Sequence, residues 1–318
     1  MTSTSAYPVV CLYGPTASGK TDFAIECADA FGCELISVDS ALVYRGLDVG
    51  TAKPDADTLA RYPHWLVDVV DPWTPYSAAD FCRDAASAIE TICSKGRVPL
   101  LVGGTMLYFR ALLNGLNALP PADRAVRDAL QAEMQSRGLA ALRAELAEVD
   151  PVADARLSAN DTQRTLRALE VWRGTGKSLS DWQAEPVKPL LPLRTLELAL
   201  WPEPRAQLHA NIETRFDQML QRGFLAEMEA LRADQRLHAD LPSMRSVGYR
   251  QAWQYLDGEC DFDQFRARAI AATRQLAKRQ FTWLRSLKAV PHHNPYEPGQ
   301  HTHPFMQRIS AWLETLRD

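Results

Sequence analysis

The chain has 318 residues, enough for one large domain or a core carrying an inserted lobe. Its apolar share of 46% and charged share of 23% are those of an ordinary globular protein, and a net charge of -4 excludes a surface coated uniformly with basic residues, though not a local basic groove. No apolar run approaches the roughly 20 residues that span a bilayer, Met1 to Tyr7 has neither a basic start nor a long apolar stretch, and the cysteines (Cys11, Cys27, Cys33, Cys82, Cys93 and Cys260) form no C-x-x-C pair, so the expectation is a cytosolic chain with reduced thiols and no zinc site.

In chain order, Val9 to Tyr13 is a short apolar run meeting Gly14 and reads as a buried strand. Lys20 to Phe31 is predicted helical, with Phe23, Ala24, Cys27 and Ala28 at helical spacing. Glu34 to Val38 reads as a second strand, and Trp65 to Val70 as a third, closed by Asp71-Pro72. Ser77 to Lys95 reads as a helix with Ser77 as its N-cap, and Pro99 to Val102 as a further strand running into Gly103-Gly104. This rhythm predicts an α/β fold, a parallel sheet with helices on both faces.

Strand signals stop near Pro120-Pro121. From Ala122 to about Pro192 the chain is rich in Ala, Leu, Arg and Glu, with a helix start at Asn160-Asp161 and a stop at Gly174-Thr175-Gly176. Alternation returns over Thr195 to Trp201. The organisation expected is a first core segment over 1–118, an inserted all-helical lobe over 119–192, and core completion with C-terminal helices over 193–318. After Pro204 the pattern is mostly helical, and 291–304 reads as a Pro/His-rich loop or tail. Four histidines there (His292, His293, His301 and His303) read as surface loop residues rather than a metal site.

Gly14-Pro15-Thr16-Ala17-Ser18-Gly19-Lys20-Thr21 matches G-x-x-x-x-G-K-[ST], between a strand and a helix as that motif requires. Glycines let backbone N–H groups converge on phosphate oxygens, the following helix points its positive end at the same anion, Lys20 adds a point charge, and the Thr21 hydroxyl can hold Mg²⁺. The sheet is therefore expected to be P-loop NTPase-like, and the ligand a polyphosphate, not specifically ATP. Most such enzymes add an acid at the end of a nearby strand. Pro99 to Val102 ends without one, whereas Asp39 follows Val38, and both Asp39 and Thr105 should face the crevice beyond the strand ends. Asp39 reads as a general base, a group supporting a bound metal, or a helix cap; Thr105 reads equally as an N-cap.

Further on, Leu208, Ile212, Phe216 and Met219 mark an apolar helix face onto which Arg215 also points. An arginine there needs an anion, either a carboxylate or a phosphate. From Gln264 to Arg285 there are six basic residues and no acid: Arg266, Arg268, Arg274, Lys278, Arg279 and Arg285. On one helix, Arg274, Lys278, Arg285 and Phe281 would share a face, a stripe suited to RNA phosphates and bases or simply a solvated face. Arg245 with Arg250, and Arg164 with Arg167, give two more basic segments.

Together with the phosphate loop, Ile36-Ser37-Val38-Asp39-Ser40-Ala41-Leu42-Val43-Tyr44-Arg45, Asp48-Val49-Gly50-Thr51-Ala52-Lys53-Pro54, Val102-Gly103-Gly104-Thr105, Gln163-Arg164-Thr165-Leu166-Arg167-Ala168-Leu169-Glu170, Arg245-Ser246-Val247-Gly248-Tyr249-Arg250 and Lys278-Arg279-Gln280-Phe281-Thr282-Trp283-Leu284-Arg285 form an ordered set. The set, over roughly residues 8 to 285, resembles the bacterial tRNA dimethylallyltransferase (tRNA isopentenyltransferase) family. The resemblance implies transfer of a five-carbon allylic group from dimethylallyl diphosphate to the exocyclic amine of the adenosine just 3′ of the anticodon in tRNA. It implies that Gly14 to Thr21 holds the diphosphate with Mg²⁺, that Asp39 is the base, that Thr105 positions the reacting groups, and that Arg215 braces the leaving pyrophosphate. It implies further that Asp39, Ser40, Ala41, Leu42, Thr105, Arg127 and the segments 163–167, 245–250 and 278–285 meet the tRNA, with the helical lobe closing on its anticodon arm. A monomer without membrane attachment is expected. The C-terminal zinc finger of eukaryotic relatives has no cysteines to match it here. A small-molecule kinase would share the loop and the carboxylate but not the basic segments; a nucleotide-gated RNA-binding protein would leave Asp39 without chemistry to perform.

Overall fold

The computed structural model describes residues 6–117, 119, 123–297 and 303–316. The chain divides into two compact units, one made of 1–113 with 190–318 and the other of 114–189. The first unit is built on β1 (Tyr7–Tyr13), α1 (Lys20–Phe31), β2 (Glu34–Val38), α2 (Ala56–Arg61), β3 (His64–Trp65), α3 (Ala78–Ser94), β4 (Pro99–Gly103) and α4 (Met106–Asn114). The second unit holds α5 (Arg124–Val149), α6 (Pro151–Arg156), α7 (Thr162–Thr175) and α8 (Leu179–Ala184). The chain then returns to the first unit through β5 (Leu193–Leu200), α9 (Arg205–Gln221), α10 (Phe224–Arg232), α11 (Tyr249–Leu256), α12 (Phe262–Leu284), β6 (His292–His293) and α13 (His303–Glu314).

The sheet runs β3-β2-β4-β1-β5-β6, with every pairing parallel. Parallel strands lie buried on both faces, so their apolar runs are continuous. In β1, Val9, Cys11 and Tyr13 pack with Phe81, Ile89 and Phe109 of α3 and α4. Val10 and Leu12 pack on the opposite face with Phe23 and Cys27 of α1 and with Phe305 and Ile309 of α13. Each such fully buried side chain contributes about 1.5–3 kcal/mol. A third core joins Val43, Tyr44 and Leu47 to α9–α12 through Ile212, Phe216, Phe224 and Phe265.

Local chemistry set many of these limits. Ser77 accepts from Asp80 N while Asp80 Oδ2 accepts from Ser77 N, a reciprocal cap that starts α3. Gly32, in the left-handed region, ends α1. In the helical unit Asp161 caps α7 and Gly176 closes it, Leu130, Leu142, Leu146 and Leu169 form its core, and Gly138 breaks α5 at φ 76°. The lobe expected over 119–192 falls in the unit 114–189; Pro120 and Pro121 lie outside the described residues.

Two expectations are corrected. Trp65 to Val70 is not one strand: only His64–Trp65 pairs with β2, because Leu66 and Asp68 take φ of 64° and 55° and turn the chain away. Asp68, Val69 and Val70 instead donate backbone hydrogen bonds to Leu42 and Val43, tying the chain to the stretch after β2. The expected tail over 291–304 carries the last strand and the start of α13: His292–His293 pairs with β5, and His293 is buried beside Phe305 at 5.3 Å between rings. His301 and the His303 side chain lie outside the described residues. Among the described residues no three His, Cys or acidic side chains cluster as a metal site. All six cysteines are free thiols, and no described helix is long and apolar enough to cross a membrane.

Candidate active site

The loop from Gly14 to Thr21 leaves the C-terminal end of β1, in the middle of the sheet, and enters α1. Ala17 and Gly19 take φ of 62° and 81°, giving the loop the left-handed curl of an anion-binding concavity. No side chain caps α1, so its first-turn N–H groups are left for an anion. The Ser18 hydroxyl is buried without a hydrogen-bond partner. Lys20 Nζ donates to Pro15 O at 2.5 Å. Burial, then repulsion from Arg215, pushes its ammonium down to a pKa of about 7 against the opposing pull of Asp39.

Arg215 projects from α9 and donates through Nη2 to the Thr16 hydroxyl. Its burial disfavours the charge and Asp39 favours it. Neither Lys20 nor Arg215 forms an ion pair with a carboxylate among the described residues. Of the two anions open to Arg215 from the sequence, a carboxylate partner is thus missing, and two cations converge on one loop.

Asp39 follows β2. Its Oδ1 accepts from Ala41 N at 2.8 Å and Leu42 N at 3.3 Å, closing a tight turn, while Oδ2 keeps no hydrogen bond among the described residues. Thr105 follows β4; its N–H donates to Val38 O at 3.2 Å, and its hydroxyl accepts from Ser40 N at 3.1 Å instead of capping α4. The two strand ends are drawn together because Gly103 has no β-carbon, which would collide with Val38 O. Thr16, Asp39, Thr105 and Arg215 line one cavity of about 550 Å³. Tyr44, Tyr76, Met106, Tyr108, Ile212 and Phe216 give it an apolar wall, and Arg245, Arg279 and Trp283 also border it.

The basic segments divide by exposure. On α12, Lys278, Arg279, Thr282 and Trp283 are exposed, as is Arg285 just beyond it, whereas Gln280, Phe281 and Leu284 are buried. The expected stripe is corrected accordingly. Phe281 packs edge-on against Trp201 at 4.9 Å inside the core, and the exposed aromatic is Trp283, with the Arg110 guanidinium 5.9 Å from its ring centre. Arg274 pairs with Glu213 at 3.0 Å, and Arg266 with Glu213 and Asp217, so α9 supplies acids to the acid-free run from Gln264 to Arg285.

In 245–250, Arg245 and Arg250 are exposed, and Ser246, Val247 and Gly248 line the cavity. Tyr249 is buried, its hydroxyl donating to Glu227. Ser40 is exposed, and Ala41 and Leu42 are half-buried. Within the helical unit, Gln163 and Arg164 are exposed and Leu166 is half-buried, whereas Thr165 is buried and bonded to Asp161 O at 2.7 Å. Arg127 and Arg167 share the buried Glu170 at 3.2 and 2.9 Å. As tRNA contacts, the side chains of Thr165, Tyr249, Gln280, Phe281 and Leu284 are corrected: burial in the protein turns them from an outside ligand.

Three residues build the site in ways the sequence did not announce: Glu227 drew no reading, Lys53 stood only inside a motif, and Gln280 was expected to meet the tRNA. Glu227 accepts from the backbone N–H of Asp48, Val49 and Gly50 at 3.0, 2.6 and 3.2 Å, pinning the stretch that carries Gly50 into the cavity wall. Lys53, buried, bonds Tyr44 O, Asp48 and Asp68. Gln280 bridges two loops, its Oε1 accepting from Thr16 N at 2.9 Å and its Nε2 donating to Gly104 O at 3.0 Å. Glu227 and Gln280 join segments far apart in sequence, so no local pattern announces their bonds, whereas Lys53 ties together a stretch near it in the chain.

A parallel sheet with a phosphate loop in mid-sheet and a carboxylate at the next strand end but one defines a P-loop α/β protein with a mixed anionic and apolar cavity. The model of the IPP transferase family matches residues 42–287, and that of isopentenyl transferase matches 7–68. The chain belongs to the IPP transferase family. It is 55% identical over 296 residues to a tRNA dimethylallyltransferase of Stenotrophomonas maltophilia (strain K279a), covering 92% of this chain and 93% of that one. It is 57% identical over 281 residues to a tRNA dimethylallyltransferase of Xanthomonas axonopodis pv. citri (strain 306), covering 87% and 86%. Among solved structures, the full-length tRNA isopentenylpyrophosphate transferase of Bacillus halodurans superimposes with a TM-score of 0.69 at 33% identity, covering 97% of each chain. A eukaryotic dimethylallyltransferase acting on tRNA superimposes at 0.79 and 26% identity, covering 96% of this chain and 78% of that one.

Proposed function

We propose that the chain is a tRNA dimethylallyltransferase, moving the dimethylallyl group of dimethylallyl diphosphate to N6 of the adenosine 3′-adjacent to the anticodon and releasing diphosphate. The observation that carries this reading is one cavity in which Thr16 of the phosphate loop and Arg215, without an ion pair to a carboxylate, meet a carboxylate oxygen without a hydrogen bond, beside an apolar wall. In the reaction the N6–C1 bond forms and the C1–O bond breaks, the electron pair of the latter leaves with the diphosphate, and the amine proton passes to Asp39. Charge grows on the leaving group, where Lys20, Arg215 and the first-turn N–H groups of α1 stabilise it most. Asp39 has Oδ1 fixed by Ala41 and Leu42, which leaves Oδ2 for the proton. Thr105 anchors the loop beside it through Ser40.

Mg²⁺ fits this donor set. It is usually held by substrate phosphates with one or two protein oxygens, so a preformed three-acid cage is not required. The Thr21 hydroxyl, exposed in the first turn of α1, would hold it. When bound, the ion neutralises charge building on the diphosphate. The adenine must leave its stack to enter the cavity. Arg245, Arg279 and Trp283 at the cavity would hold the anticodon arm open, with Lys278, Thr282, Arg285 and Arg250 on its phosphates. Arg127, Gln163, Arg164 and Arg167 would contribute from the helical unit. The protein is taken to act as a monomer off the membrane.

The test mixes protein, Mg²⁺, labelled dimethylallyl diphosphate and unmodified tRNA, following ATP hydrolysis in parallel. Label is expected in tRNA and absent with Asp39→Ala, which should still bind tRNA. No label, with substrate-stimulated ATP turnover instead, would assign the loop to a kinase and end the transferase reading.

A further inference from the structure

Gln280 sits on the helix whose exposed face carries Lys278, Arg279 and Trp283, yet its own side chain points inward and is 8% exposed. Both ends of its carboxamide are used. Oε1 accepts the backbone N–H of Thr16 at 2.9 Å, inside the phosphate loop. Nε2 donates to Gly104 O at 3.0 Å, one residue before Thr105. Thr16 is held a second time, since its hydroxyl receives Arg215. The two loops are also in direct contact: a β-carbon on Gly104 would lie 3.1 Å from Gly14 O and would overlap the Gln280 amide.

We propose that Gln280 is a positioning residue for the transfer, holding the phosphate loop and the Gly104-Thr105 turn at a fixed separation, rather than a contact to RNA. The inference rests on the transferase reading above. The physical reason is the geometry of an amide. One planar group offers an acceptor and a donor at fixed spacing, so it sets two backbone loops against each other where a carboxylate, an acceptor only, cannot satisfy both and a hydroxyl has no such spacing. Diphosphate oxygens bind in the loop that ends at Thr21, and the amine reacts beside Thr105. The distance between the two substrates is thus written partly by this side chain. A misplacement of about 1 Å at reacting groups costs on the order of a hundredfold in rate.

The position of Gln280 also separates two duties on one helix. The face bearing Lys278, Arg279 and Trp283 serves RNA; the buried face serves the chemistry. Neighbouring residues should therefore fail in opposite ways, which a loss of folding would not reproduce.

The test uses the full-length protein and compares Gln280→Met, of similar volume without the amide, with Arg279→Ala. For Gln280→Met the expectation is kcat lowered and KM for dimethylallyl diphosphate raised, each about tenfold or more. Its tRNA dissociation constant and the salt dependence of that constant should stay within twofold of the parent. Arg279→Ala should weaken tRNA and leave KM for the allylic diphosphate unchanged. If Gln280→Met does not fold, Gln280→Glu decides. It keeps the acceptor for Thr16 N and loses the donor to Gly104 O, so it should retain tRNA binding and lose transfer rate. Two results overturn the proposal: tRNA affinity falling in the glutamine variants with the allylic KM unmoved, or all parameters unchanged. Failure of the parent protein to transfer label would refute the transferase reading instead, and inorganic pyrophosphate binding, weakened by Gln280→Met, would then still report on the loop.

Discussion

Arg215→Ala tests the anion cradle through two linked effects. In the parent protein Lys20 and Arg215 face the same loop, and burial together with Arg215 lowers the Lys20 pKa to about 7. Anion binding restores the charged ammonium, so it takes up a proton above that pH. Free Lys20 is about half protonated at pH 7 and about one-tenth protonated at pH 8, which costs about tenfold in affinity per pH unit. Removing Arg215 removes a partner from a desolvated anion, a loss of about 2–5 kcal/mol, or about 30-fold to several thousandfold at 1.4 kcal/mol per decade. It also removes the repulsion, so Lys20 titrates higher and the variant keeps its ammonium longer. The assay is calorimetric titration with inorganic pyrophosphate and Mg²⁺ from pH 6 to 9. The ratio of parent to variant affinity is the quantity to read, because protonation of pyrophosphate itself cancels. That ratio should be large at pH 6 and shrink as pH rises above 7. A ratio independent of pH, or equal affinities throughout, would refute the pairing of these two cations on one ligand. The stability term has a definite sign too. A lysine with folded pKa below its ordinary 10.5 destabilises the fold fully below about pH 7, and that cost is relieved as pH rises from there.

Further outcomes are expected. Arg279→Ala should weaken tRNA uniformly across sequences and reduce the slope of log affinity against log salt by about one. Gly104→Ala should reproduce the Gln280→Met phenotype, since the added methyl overlaps the amide, and a normal allylic KM in it would contradict the bridge. Lys53→Met should lower stability in urea unfolding by about 2 kcal/mol. That is less than the about 3–5 kcal/mol of a fully buried pair, because Asp48 and Asp68 are 59% and 40% exposed and can rehydrate.

Much of the core was written locally. Apolar runs, the Ser77-x-x-Asp80 cap, Gly32 and the glycine-lysine loop state their own conformation, because capping, helical period and left-handed φ act within a few residues. The ordered motifs by themselves mark the family. Asp39, Thr105 and Arg215 were named from position and pattern, and they line one cavity. What local pattern could not supply was partnership. Whether Arg215 met a carboxylate or an anion loop depended on which side chains α9 faced, and it faces Thr16.

The same limit explains the errors. The acid-free run on α12 looked like an open basic stripe, but Glu213 and Asp217 on α9 neutralise part of it, and Phe281 turned inward to Trp201 while Trp283 turned out. The histidine segment looked like a loose tail because a two-residue edge strand has almost no sequence signal; pairing with β5 made it. Sequence alone determined the phosphate loop, the alternation of strand and helix around it and the family, since these rest on short runs of residues. Only the tertiary structure decided which face of α12 meets the core, that Glu227 and Gln280 bind backbone far away in the chain, and that the loop, the carboxylate and the arginine share one cavity. Those relations are set by burial and hydrogen bonding between segments that no window of sequence contains.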